Sequence, residues 1–322
     1  MNTCTPTLTG TPLSGSPTAT FGGPTPRFLT YPTPTVGRTS DYWPRFSPDG
    51  ATILFTRTSN GGTSFLATVP SAGGEVVEFP PPGPTRTPIP VSASRSSWSW
   101  NTTLTEHQIA FTGESAAGAF LYLISVDGSG LEEVSPPGTG NEVFYPSWYP
   151  DGINVGVVAA PAGASAGQLL RIDTAAQTSE QLTYLVQIYA GESAVSRDGT
   201  GIAFAGQLNC GAPYDQSNNQ IWLLDLASGG LAQLDPQEGR TPDWSPDDRY
   251  LSFESTRFCA DGNYTIVISP AAGGPVLQLT DCVYDGNHSV WSPDGSRIAF
   301  SAVIPGTSNR GIAIVPVPPI RE

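Results

Sequence analysis

The chain has no lysine. Its 14 basic residues are all arginine, and 28 acidic residues leave a formal charge of −14. A nucleic-acid ligand needs clustered positive charge on one surface, so this balance argues against DNA or RNA as a partner. The same long-range field disfavours anionic membranes and polyacids, although a local arginine cleft can still hold one carboxylate. No run of 18 apolar residues occurs, so no membrane span is expected. Met1-Asn2-Thr3-Cys4 lacks the basic start and apolar core of a signal peptide. Histidine is also scarce, with only His107 and His288. The four cysteines, Cys4, Cys210, Cys259 and Cys282, match no zinc spacing.

Proline and glycine are abundant, at 32 and 36 residues. Without a collagen period, and with apolar runs between them, they mark many tight turns joining short strands. One phrase returns along the chain: Phe46-Ser47-Pro48-Asp49-Gly50, Trp148-Tyr149-Pro150-Asp151-Gly152, Val195-Ser196-Arg197-Asp198-Gly199, Trp244-Ser245-Pro246-Asp247-Asp248 and Trp291-Ser292-Pro293-Asp294-Gly295. Trp98-Ser99-Trp100-Asn101 is a degraded copy. The Asp or Asn positions are spaced by 52, 50, 47, 49 and 47 residues, a period that means one repeated sheet unit.

Each unit reads as four strands. In the fifth, Asp243-Trp244 leads to the turn, then Tyr250 to Glu254, Asn263 to Ser269 and Pro275 to Thr280 follow. Aspartate and glycine suit the tight connection because they tolerate unusual dihedrals, and proline fixes one of them. Six such units predict an all-β, six-bladed β-propeller of four-stranded antiparallel blades. The residue before each turn is the wedge between neighbouring blades. The last unit has only three strands, so Arg27-Phe28-Leu29-Thr30-Tyr31 is expected to supply the outer strand that closes it. Residues 1–24 are then a flexible Thr/Pro-rich tail and 25–322 a single propeller domain.

The Trp-Ser-Pro-Asp-Gly turn, followed by an Arg-Ile-Ala-Phe strand, a Gly-Gly turn and Leu-Gln-Leu-Thr, resembles the TolB-like (WD40-like Pro-Asp repeat) propeller family over residues 42–317. The likeness is strongest over 239–317. It implies an exported bacterial protein, periplasmic or extracellular; the Thr/Pro/Ser/Gly-rich first 40 residues read as a tether, lipid-anchored in the precursor if Cys4 lies near an anchor cysteine. It also implies a protein-binding module, with serine peptidases and oligogalacturonate lyases among the relatives. The second and fourth units have lost the full phrase. A serine peptidase needs a serine–histidine–acid set, normally in a separate hydrolase domain, for which the repeats leave no room.

Connections entering the inner strands converge on the propeller axis. Counting three residues before the wedge gives Trp43, Arg95, Tyr145, Glu192, Thr241 and His288; counting four gives Tyr42, Ser94, Phe144, Gly191, Arg240 and Asn287. Equivalent positions holding different residues make a candidate recognition ring of Tyr42, Trp43, Arg95, Tyr145, Glu192, Arg240, Asn287 and His288. Its aromatics would stack on a sugar or peptide and its arginines would fork onto a carboxylate. The plainer reading is that these residues cap strand ends and pair across the rim. Glu192 or Asp285 beside His288 would form an acid–base pair.

Loops between second and third strands leave from the same face. Cys210, Cys259 and Cys282 all fall in loops at this face, which permits a disulfide: Cys259–Cys282 is the first choice, with Cys4 and Cys210 paired or free, and free thiols the alternative. The 209–216 loop and Arg257-Phe258-Cys259-Ala260-Asp261, with Asp281 and Asp285, form an acidic flank. No cofactor is required; calcium or another divalent metal is the candidate ion for that flank, although no Asp-X-Asp-X-Asp spacing occurs. His107 reads as a solvated turn residue. Two functions are weighed: a monomeric exported module that binds a protein or glycan at this face, and a lyase of uronic-acid sugars using His288, Arg95, Arg240, Glu192 and a tyrosine.

Overall fold

A computed structural model gives the fold and describes residues 22–32, 39–58, 62, 64–80, 92–99, 107–140, 142–160, 167–184, 188–208 and 215–320. Cys4, Cys210 and most of the predicted tail and of the 209–216 loop lie outside these residues.

Among them, six four-stranded antiparallel sheets form the six blades. The innermost strands are Ser40–Phe46, Ser92–Trp98, Val143–Trp148, Ile188–Val195, Arg240–Trp244 and Asn287–Trp291. Each ends at the wedge residue, turns, and runs back as the second strand. The sixth blade closes as expected: Arg27–Phe28 is its outer strand, with Arg27 opposite Ile314 and Phe28 opposite Ala313. Just beyond it, buried Thr30 accepts a hydrogen bond from the Ile312 amide at 2.8 Å and donates to the Asp41 carboxylate at 2.5 Å. Arg57 forks onto the same carboxylate. One side-chain chain therefore joins the terminal strand, blade six and blade one, where the ring would otherwise have an open seam.

The turn phrase works through one repeated set of bonds. Ser47, Ser196, Ser245 and Ser292 donate to the Asp two residues on, at 2.6–2.7 Å. The same hydroxyls accept the amides of Thr52, Gly201, Tyr250 and Arg297 at 2.9 Å, fastening the second strand to the turn. Gly295, at φ 70°, closes the last of these turns in a conformation that favours glycine.

The second strands have continuous apolar runs because both faces are covered. In blade one, Ile53 and Phe55 pack toward blade six while Leu54 between them packs toward blade two. The described residues form six buried apolar clusters, one per blade interface. Each contains one wedge residue: Phe46, Trp98, Trp148, Val195, Trp244 or Trp291. Trp148 also donates its indole N–H to the Ser97 carbonyl of the preceding blade at 3.1 Å, and Trp244 does the same to Ala194.

Candidate functional site

The recognition-ring positions share an irregular backbone. Every innermost strand shifts register against its second strand there: between Tyr42 and Arg45, Ser94 and Ser96, Phe144 and Ser147, Ala190 and Ser193, Arg240 and Asp243, and Asn287 and Val290. Trp43, Arg95, Tyr145, Thr241 and His288 have φ of 57°, 41°, 62°, 49° and 56°. These are five of the eight described non-glycine residues with left-handed φ, so the strain is concentrated at the axis. Such a conformation costs about 1–3 kcal/mol per residue. It breaks the in–out alternation of the strand and turns one extra side chain per blade toward the axis.

Four of these side chains form a stack. The Arg95 guanidinium carbon lies 3.5 Å from the Trp43 ring centroid and 3.2 Å from that of Tyr145. The two rings are 6.5 Å apart, so the guanidinium is wedged between them. The His288 ring centroid lies 3.3 Å from that of Trp43. Two groups this close to one centroid cannot share a face, so Trp43 is covered by Arg95 on one side and His288 on the other. Tyr42 meets the His288 ring edge-on at 5.9 Å.

An ionic group lies beside the stack. Arg240 is 3.7 Å from Glu192 and 3.4 Å from Glu254, and its Nη1 donates to the Tyr264 hydroxyl at 3.2 Å. Burial opposes the charge of Arg240, but Glu254 and Glu192 outweigh it and raise its pKa. Glu254 accepts the His288 backbone amide at 2.8 Å. Burial, with Glu192 nearby and against the pull of Arg240, pushes the Glu254 carboxyl up to about 7. Burial, followed by the fields of Arg95, Arg310, Arg240 and Arg45, holds His288 well below the usual histidine range, so its imidazole is neutral. Burial also lowers Arg95 to about 10, which leaves it cationic at neutral pH.

The structure thus brings together Tyr42, Trp43, Arg95, Tyr145 and His288, and sets Glu192 and Arg240 beside Glu254. Asn287 instead donates its side-chain amide to the Gly286 carbonyl at 3.2 Å. Two expectations change. The Trp43 faces are occupied by protein groups, so this ring is not an open platform for a sugar. Asp285 does not pair with His288: it ion-pairs with Arg310 and accepts the Tyr264 amide at 2.9 Å. The acid that touches His288 is Glu254, which counting along inner strands missed because it lies on a second strand, opposite Arg240.

On the same face, Cys259 and Cys282 form a disulfide, with Cα atoms 5.6 Å apart. Asp281 accepts the Val283 amide at 3.0 Å and caps the short helix Cys282–Tyr284. No group of three or more His, Cys, Asp or Glu that could hold a metal occurs among the described residues. His107 sits at the turn face, its Nδ1 3.4 Å from the Ser99 hydroxyl. The string Gly163-Ala164-Ser165-Ala166-Gly167 has a Gly-X-Ser-X-Gly pattern, but it joins antiparallel strands Asn154–Ala159 and Gln168–Asp173. A nucleophile elbow joins a strand to a helix. Residues 161–166 of that connection lie outside the described residues.

No family model matches the chain. It is 33% identical over 125 residues to the uncharacterized peptidase YuxL of Bacillus subtilis, spanning 38% of this chain and 18% of that relative's length. The fold is similar to the putative TolB of Agrobacterium tumefaciens, at TM-score 0.59 and 16% identity, with 86% of this chain and 90% of that one covered. It is also similar to an oligogalacturonate lyase in complex with manganese, at TM-score 0.54 and 12% identity, with 91% and 97% covered. At these identities the likeness extends to the propeller fold and not to a shared activity.

Proposed function

We propose that the chain is an exported propeller module that binds a protein or cell-surface partner through the face formed by the axial ring and the inter-blade loops. The observation that carries this reading is the repeated bulge. All six inner strands shift register at equivalent positions, five of them through a left-handed residue, yet those positions hold Trp, Arg, Tyr, Glu, Thr and His. Repetition of the backbone without repetition of the side chain is what a recognition surface needs. The Cys259–Cys282 disulfide on that face fits an oxidising compartment, periplasmic or extracellular. The TolB likeness agrees at the level of fold.

The uronide-lyase reading has one specific observation in its favour. The Glu254 carboxyl is pushed up to about 7, into the range a general acid or base uses, although the residue itself is fully buried. Against it, the described residues offer no cluster for a metal such as the one named with the lyase structure. The two readings separate in a binding screen over envelope proteins and glycans, run with and without EDTA. The module predicts partner binding without turnover and without loss on chelation. Uronide cleavage abolished by His288→Ala, in a variant that still unfolds cooperatively, would replace it with the lyase.

A further inference from the structure

The axial stack contains one cation whose hydrogen bonding is incomplete. Arg45, Arg95, Arg240 and Arg310 all act on His288, so several cations converge near it. Arg240 also has an unmet Nε, but Glu192 and Glu254 lie within 3.7 Å of its guanidinium, and Arg310 has Asp285. Arg95 has aromatic rings. The residue is 7% exposed, and its buried Nε and Nη1 have no hydrogen-bond partner. Leaving buried donors of a charged group unmet costs more than leaving those of a neutral group unmet. A hydrophobic residue would fill the slot between Trp43 and Tyr145 without that penalty. The left-handed backbone at Arg95 adds a second cost at the same residue.

We propose that Arg95 is the anchor of an axial carboxylate site, and that the ligand is a peptide segment presenting a single carboxylate. The inference rests on the binding-module reading above. Trp43 and Tyr145 cover the guanidinium on two sides, which leaves its N–H edge as the recognising element. A planar carboxylate matches that edge. Glu192 acts on Arg95 and would repel a dianion or a polyanion, so one negative charge is favoured. A glycan is the weaker fit because the Trp43 faces that would stack on a pyranose are already taken by Arg95 and His288.

The test uses the full chain, immobilised, with a randomised hexapeptide pool offered as the free acid and as the C-terminal amide. A third pool is amidated but carries one central Glu. Trigalacturonate and inorganic phosphate serve as the other anions. Retained sequences are then titrated against wild type, Arg95→Lys and Arg95→Met, with thermal unfolding of each variant as the fold control. We expect retention of carboxylate-bearing peptides, with the amide and Glu pools telling a chain terminus from an acidic side chain. Amidation or Arg95→Met should weaken binding about 10- to 100-fold, and Arg95→Lys less. The 15N signal of Arg95 Nε should shift on binding. Equal affinity of neutral peptides, unchanged affinity in folded Arg95→Met, preference for trigalacturonate or phosphate, or no retention at all would each overturn the proposal. A partner from the envelope screen that binds wild type and Arg95→Met alike sinks only the carboxylate site. A screen without any partner sinks the module reading itself.

Discussion

The two faces of the propeller use repetition in opposite ways. On the turn face, side chains build the backbone: a serine hydroxyl and an aspartate carboxylate tie the same amides in four blades. On the axial face, the backbone aims the side chains: the same bulge recurs and the residues it presents differ. A position whose side chain satisfies local amides has little freedom to vary. A position whose side chain is pushed away from the sheet by a bulge is free to take on recognition.

The comparison breaks hardest where both faces share a residue, at the wedge. Trp148→Ala opens the interface between blades two and three and should cost about 3–5 kcal/mol in urea unfolding. A loss below about 1 kcal/mol would mean that the wedge is not what joins the blades. Next comes the covalent link of the axial face. Replacing Cys259 and Cys282 together by alanine should cost about 2–4 kcal/mol, given their separation of 23 residues. Amide exchange should accelerate at 256–264 and 281–286 while the turn-face amides stay protected. Uniform acceleration would show that the two faces open as one.

A subtler contrast lies in pH. Hydrogen bonds from Ser292, Ser296 and its amide hold Asp294 at about 2, below the value of about 3.9 for a free aspartate. Its stabilisation is therefore complete above that free value and is lost as pH falls toward 2. Asp49, Asp151, Asp198 and Asp247 are lowered too, so the turn face is the acid-labile one. Glu254 runs the other way. Burial raises it to about 7, the folded chain holds its proton after the unfolded chain has lost it, and stability falls as pH rises from about 4.3 to 7. Urea midpoints from pH 2 to 8 should show Asp294→Asn flattening the acid limb and Glu254→Gln flattening the decline toward neutrality. Parallel curves for both variants would erase the contrast. The smallest effect is expected at the stack: Arg95→Met should change stability by no more than about 1 kcal/mol, because lost cation–π contacts are offset by removal of unmet donors. A larger loss would make Arg95 a structural residue first.

Much of this architecture was legible in the chain. The spaced phrase implied six sheet units, the missing fourth strand of the last unit pointed to Arg27 and Phe28, and counting back from the wedge found the axial positions. The shape of those positions was not legible. In Trp43-Pro44, Tyr145-Pro146 and Thr241-Pro242 the local rule favours extended backbone before proline. All three residues are left-handed instead. Glu254 was missed for a related reason, since nothing in a second strand announces that its carboxylate will reach an amide 34 residues on in the next blade.

The sequence by itself determined the repeat, the turns, the blade count and the closing strand, because each depends on contacts within a unit or on a short apolar period. Only the closed ring decided that Arg95 would lie between Trp43 and Tyr145, that His288 would cover the other face of Trp43, and that Glu254 would be pressed toward neutrality. Those residues come from five different blades. They meet because closure brings all the inner strands to one axis, where burial and crowding, and not local propensity, set conformation and charge.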